Sequence, residues 1–193
     1  VLTTVNRDDL ANQGASHISR CIKAIQRRSP RLFIEMLMPD FRGNEELLQK
    51  IIDASPSVMA HNLETVRRLT PKVRDYRANY DQSLEVLSYL KTNAPKGYTK
   101  SSLMLGLGES RREILQAMED LIDVGVDFLT IGQYLQPSRK HLKVFKFLHP
   151  KEFDKLGKIG EQMGFDYVAA GPLVRSSYKA AEFYIERKIR GTT

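Results

Sequence analysis

Short apolar runs alternate with longer stretches in which apolar residues recur every three or four positions. That is the signature of strands followed by amphipathic helices. Val1 to Val5 reads as a buried strand leading into the polar loop Asn6-Arg7-Asp8-Asp9. From Ala15 to Arg28, Ile18, Ile22 and Ile25 share one helical face with Cys21 beside them. Arg31 to Met38 is a second strand, ended by Pro39. Asn44 is placed to cap a helix to about Ala54, with Leu47, Leu48, Ile51 and Ile52 inward. Ser57 to Ala60 is a short strand with His61 and Asn62 at its carboxyl end; Thr65 to Leu69 reads as helical and Asp75 to Asn79 as irregular.

Asp81 is a candidate N-cap for a helix through Lys91. Thr99 to Leu107 is a strand that Gly106 and Gly108 close. Ser110 and Glu113 form a capping box for a helix to Val124, stopped by Gly125. Asp127 to Ile131 is a strand, and Gln133 to Leu148 a long connection containing Pro137. Pro150 opens a helix ending near Met163-Gly164, Asp166 to Ala170 is the last strand, and a helix from about Tyr178 closes the chain.

This alternation predicts an α/β protein with a parallel sheet and right-handed crossovers. Five or six units suggest a barrel, or an incomplete one, with its site at the carboxyl ends of the strands. A doubly wound sheet is the alternative. No repeat or linker divides residues 1–193, so one domain is expected. A chain that opens inside a strand is expected to have lost a parallel neighbour upstream, leaving an aggregation-prone edge.

Charge adds a question rather than an answer. The net charge is +7, which suits an acidic partner. The basic residues are scattered in pairs such as Arg27-Arg28 and Arg139-Lys140, without an aromatic nucleic-acid signature. No apolar run reaches the roughly 20 residues of a membrane span, and no signal-peptide pattern is present. A soluble intracellular protein is expected, bound to neither nucleic acid nor membrane. Cys21 is the single cysteine, so neither a disulfide nor a CxxC knuckle is possible within the chain.

The polar clusters fall just after the expected strands. They are Asn6 to Asp9, Asp40 to Gly43, His61-Asn62-Glu64, Gly106-Gly108-Glu109, Gln133-Gln136-Arg139 and Arg175-Ser176-Ser177, with Lys100 at the start of the fourth strand. One such cluster is ordinary loop chemistry; six on one rim point to a site. His61 alone reads as a core histidine. Asp8 and Asp9 can simply cap a helix. Gly106-x-Gly108 is either a turn or a close backbone approach to a ligand. Arg42 and Arg139 either hold a carboxylate or make surface pairs.

The phrases TTVNRDDL (3–10), PDFRGN (39–44), AHNLETV (60–66), SLMLGLGE (102–109), TIGQYLQPS (130–138) and GPLVRSSYKA (171–180) together resemble lipoyl synthase, a radical S-adenosylmethionine (SAM) family. The resemblance covers essentially the whole chain. It implies a partial (β/α)6 TIM-type barrel, missing its first strand here. It implies insertion of two sulfurs at C6 and C8 of an octanoyl group carried on a lipoyl carrier domain. Hydrogen abstraction would come from a SAM-derived 5′-deoxyadenosyl radical. The implied cofactors are SAM and two [4Fe–4S] clusters in the full-length protein, the auxiliary one sacrificed as the sulfur source and held partly by a serine of the RSSY motif. That serine is Ser176, with Ser177 the alternative. An alkoxide is a harder, weaker partner for iron than thiolate, which suits a cluster that is dismantled; Arg175 would supply positive charge beside it. By the same resemblance Asn6, Arg7, Asn62, Glu64, Lys100, Gly106 and Gly108 would bind SAM, and Gln133, Gln136 and Arg139 would meet the substrate. The implied partners are octanoylated carrier domains of 2-oxoacid dehydrogenases, the glycine cleavage H protein and iron–sulfur donor proteins. The compartment would be cytoplasm, or mitochondrion or plastid in a eukaryote.

Three departures stand out. The family's DGG after RDDL is Asn12-Gln13-Gly14 here, and its KSG is Lys100-Ser101-Ser102. Both cysteine motifs are absent, expected upstream of the strand at which the chain begins. The chain alone is therefore expected to be inactive. The competing reading is a non-catalytic barrel module that binds SAM or a carrier domain.

Overall fold

The computed structural model describes residues 1–177. Six parallel strands form one sheet: β1 (Leu2–Thr3), β2 (Glu35–Leu37), β3 (Val58–Ala60), β4 (Tyr98–Leu105), β5 (Phe128–Gln133) and β6 (Tyr167–Gly171). Their spatial order follows the chain without reversal. A doubly wound sheet reverses its order at a switch point, so the architecture is the partial barrel.

The crossovers are helical: α1 (Ala15–Arg28), α2 (Glu45–Ile52), the single turn α3 (Thr70–Val73), α4 (Tyr80–Asn93), α5 (Arg111–Asp123) and α6 (Pro150–Met163). Their apolar stripes cover the outer face of the sheet. Ile18 and Ile22 of α1, Leu48 and Ile51 of α2 and Val86 and Leu90 of α4 pack with Met36. Met118 and Leu121 of α5 and Phe153 and Leu156 of α6 pack with Leu103, Leu129 and Ile131. Burial of such side chains is worth about 1.5–3 kcal/mol each and drives assembly. The capping box of Ser110 and Glu113 and the left-handed stop at Gly125 (φ 79°) form as the sequence requires.

Four boundaries differ from expectation for physical reasons. β1 is two residues long and Val1 and Val5 are exposed, because β1 pairs with β2 alone and no described element covers its other edge. Thr65 to Leu69 is not helical: Glu64 is still bonded to Ser102 and Met104 of β4, and the helical turn waits until Pro71 can open it. Asn79, not Asp81, caps α4, since its side chain accepts from Gln82 N at 2.6 Å; Asp81 instead pairs with Arg67. β2 keeps only Glu35–Leu37 of the longer run. The helix expected from Tyr178 lies outside the described residues.

The lumen is layered. Val58, Tyr98, Phe128 and Tyr167, each the first residue of its strand, form a small apolar cluster at the amino end, with Tyr98 and Phe128 stacked at 5.1 Å. Side chains alternate along a strand, so Lys100, Ser102 and Met104 share the lumen face of β4 and stand opposite Phe128, Thr130 and Gly132. Lys100 is 2% exposed and bonds Glu35 Oε1 at 2.7 Å. Lys100 and Ser102, the polar residues on this face of β4, are thus buried inside the barrel.

Candidate functional site

The site is made by a strand that overruns its regular end. After β3 the chain stays on β4's edge: His61 N donates to Lys100 O, Glu64 N to Ser102 O, and Met104 N to Glu64 O. To keep that register Glu64 adopts a left-handed backbone, φ 70°, which is strained for a side-chain-bearing residue. Asn62 and Glu64 consequently line two cavities that share them and Met104. One, about 500 Å³, is bounded also by Thr4, Asn6, Met38, Asp40, Arg74 and Asp75. The other, about 190 Å³, reaches Ser102, Gln133, Arg175 and Ser176.

The electrostatics of this space are mixed. Burial raises the Glu64 carboxyl pKa, opposed by the hydrogen bond from Asn62 Nδ2 (3.0 Å) and by the charge of Arg74. Burial likewise pushes the Arg74 guanidinium down. Arg74 donates to Ser83 Oγ at 2.7 Å, and Ser83 Oγ lies 3.0 Å from His61 Nε2. His61 Nδ1 faces the Met38 carbonyl at 3.1 Å. A carbonyl only accepts, so Nδ1 carries a proton. Burial holds its pKa down to about 4. His61 is the satisfied core histidine that the sequence suggests, here bracing the cleft wall. Thr65 Oγ1, next to Glu64, is buried without a hydrogen-bond partner.

The structure brings Asn6, Asn62, Glu64, Gln133 and Ser176 to these two cavities and sends the other candidates elsewhere. Arg7 points outward into a bidentate pair with Asp9 at 2.7 and 2.6 Å. Lys100 is sealed beneath the cavities, bonded to Glu35 and, at 2.6 Å, to the Ser176 carbonyl. Gly106 and Gly108 line a different pocket of about 310 Å³ with Glu109, Phe145 and Lys155. A Cβ on Gly106 would lie 2.3 Å from both Gln133 Nε2 and Lys146 O. Its close backbone approach is therefore to the chain itself. Gln133 spends its side chain on the same connection, donating to Tyr134 O (3.0 Å) and Lys146 O (3.1 Å) and accepting from Leu148 N (3.0 Å). Gln136 is exposed and donates to His141 O at 2.8 Å, and Arg139 is exposed. Arg42 makes a surface pair with Asp8. Ser177 is exposed and lines neither cavity.

The turn Asn12-Gln13-Gly14 is held by its own hydrogen bonds. Gln13 takes φ 46° and donates to Phe41 O, while Asn12 Oδ1 accepts from Gly14 N. It lines an outer apolar cleft beside β1, together with His17 and Cys21, rather than the lumen.

The iron–sulfur clusters do not fit the described residues by themselves. A [4Fe–4S] cluster takes four ligands. No group of three or more His, Cys, Asp or Glu able to hold a metal occurs among the described residues. Cys21 sits on α1 with its sulfur 3.5 Å from His17 Nε2.

Sequence reading missed Arg74, Glu35 and Gly132. Arg74 lay in a stretch without periodicity. Glu35 sat inside an apolar run, where a lone acid is a signal for a buried partner. Gly132 is needed because a Cβ there would lie 2.2 Å from Val174 O.

The sequence model of the Radical SAM superfamily matches residues 1–121. A lipoyl synthase of Myxococcus xanthus is 56% identical over 187 residues, 96% of this chain and 62% of that protein. The mitochondrial lipoyl synthase of Branchiostoma floridae is 54% identical over 186 residues, covering 96% and 50%. That of Schizosaccharomyces pombe is 49% identical over 190 residues, covering 98% and 51%. The chain thus spans about half to three fifths of the length of these curated relatives.

Proposed function

The chain belongs to the radical SAM superfamily, and from that premise we propose that it is the SAM-binding barrel of a lipoyl synthase. The whole protein would insert sulfur at C6 and C8 of an octanoyl group on a lipoyl carrier domain. The observation that carries this reading is the convergence of Asn62, Glu64 and Ser176 on one carboxyl-end cavity, in a chain about half identical to lipoyl synthases over nearly its full length.

The larger cleft suits SAM in size and charge. Small-molecule sites run to about 300–1,000 Å³, and this one is about 500 Å³. SAM carries an ammonium, a sulfonium and a carboxylate. Glu64 and Asp40 offer anionic oxygen to the two cations, Arg74 a guanidinium to the carboxylate, and Asn62 an amide to the ribose hydroxyls. Bound SAM would supply the hydrogen-abstracting species, and the residues named hold and orient it. Asn6 would stand at the amino-acid end. Arg7, Lys100, Gly106 and Gly108, which the resemblance also assigns to SAM, line neither cavity: Arg7 pairs with Asp9, Lys100 with Glu35, and the two glycines line the separate pocket.

Ser176, half-buried in the cavity wall, is the better placed of the two candidate serine ligands. The cysteine ligands of both clusters would come from the part of the protein that these residues do not span. Carrier domains of 2-oxoacid dehydrogenases and the glycine cleavage H protein are the substrates this reading names, with iron–sulfur donor proteins as suppliers. A second reading, a barrel that binds without chemistry, draws on one observation, the lack of a metal-ligand group among the described residues.

One experiment separates them. The full-length protein, loaded anaerobically with iron and sulfide, is given SAM, reductant and octanoylated carrier domain, and the carrier is weighed by mass spectrometry. The proposal expects the lipoyl mass from wild type and its loss in Ser176→Ala. Unchanged carrier from a protein that binds SAM would establish the binding-only reading.

A further inference from the structure

Four of the ten large apolar side chains exposed among the described residues fall in thirteen positions: Leu135 (46%), Leu142 (44%), Phe145 (78%) and Phe147 (69%). They sit on the connection between β5 and α6, which is tied down rather than loose. Tyr134 Oη donates to Leu142 O at 2.9 Å, Phe145 N donates to Gly106 O at 2.8 Å, and Gln133 holds Lys146 O and Leu148 N. A segment this well anchored still turns two phenylalanines to solvent, which is the mark of an interaction surface. Among them stand Arg139, Lys140 and Lys143, all exposed, and none forms a salt bridge with another described residue. Only Lys146 is paired, with Glu152 at 3.2 Å. Leu135 also lines the smaller cavity beside Ser176, so the surface runs into the mouth of the site.

We infer that the connection 135–147 is the docking surface for an acidic folded protein whose modified side chain enters the cavity past Leu135. The inference rests on the reading above, under which that protein is the octanoylated carrier domain. The exposed basic groups would steer the encounter and an apolar centre would hold it. The connection's hydrogen bonds mean that little ordering is needed on binding, which favours affinity.

The test is calorimetric titration of the chain with an octanoylated carrier domain at several salt concentrations. Lys140→Glu/Lys143→Glu is expected to weaken binding about tenfold or more and to flatten its salt dependence. Phe147→Ser is expected to weaken it by about tenfold while keeping the salt dependence. Lys23→Glu/Arg27→Glu on α1 should stay within about twofold, as a charge change remote from the surface does. Carrier binding undiminished by either connection variant, or weakened equally by the α1 control, overturns the surface while leaving the functional reading intact. Absence of carrier binding by a wild-type chain that still binds SAM also overturns it. Loss of both binding activities strikes the reading itself. Tighter binding of a nucleic acid through the same lysines would overturn the assigned occupant.

Discussion

Glu64 combines two costs, a left-handed backbone and a carboxyl buried enough for its pKa to rise. A carboxyl whose folded pKa is raised favours folding at low pH, and that contribution is lost as pH rises through the raised value. The ionised form is therefore the one that works against stability. Glu64→Gln should leave the thermal midpoint unchanged or higher, yet weaken SAM binding by about tenfold or more through loss of a charge-assisted contact. Calorimetry and thermal melts on the same variant check both halves. His61 runs the other way. Its pKa is depressed from 6.5 to about 4, so the unfolded chain binds the proton more readily and stability falls as pH drops through that window. Denaturant melts across this range should show the fall, and His61→Gln should flatten it. The identities of these groups were legible in the sequence, since polar residues behind an apolar strand stand out. Their partners were not. His61 meets Ser83 from 22 positions away and Glu64 shares its cleft with Arg74, pairings that only the folded barrel creates.

At the scale of elements, strands and helices were largely readable from periodicity, and misreadings fell where a long-range pairing outweighs local preference, as at Thr65–Leu69. Glycines show the limit best. Gly-x-Gly after β4 announces a tight feature without saying what approaches it. The approaching group is the β5–α6 connection at Gly106, and the segment after β6 at Gly132. Gly132→Ala should displace Val174 to Ser177, detectable as faster hydrogen exchange there, whereas exchange in α1 stays as in wild type. Lys100 joins that segment to the lumen through the Ser176 carbonyl and Glu35. Lys100→Met strands a buried carboxylate and should cost about 3–5 kcal/mol in denaturant unfolding. Lys100→Met/Glu35→Leu should recover most of that loss, because a well-packed apolar pair often replaces a buried ion pair without penalty.

For the whole molecule, the layered lumen explains the division of labour: an apolar floor, a buried ion pair above it, and a mixed-charge cavity open at the carboxyl ends. No helix among the described residues is long and apolar enough to cross a membrane. Reconstitution of the 193-residue chain with iron and sulfide should leave it without a [4Fe–4S] absorption spectrum, since its single cysteine lies on α1. The cleft of Asn62, Glu64 and Arg74 is the proposed SAM site. It is tested most directly by titrating SAM into the wild-type chain, Glu64→Gln, Arg74→Gln and the remote Lys23→Gln. One site is expected, weakened by the two cleft substitutions and indifferent to the third. SAM that fails to bind, or that binds both cleft variants as tightly as wild type, would contradict it.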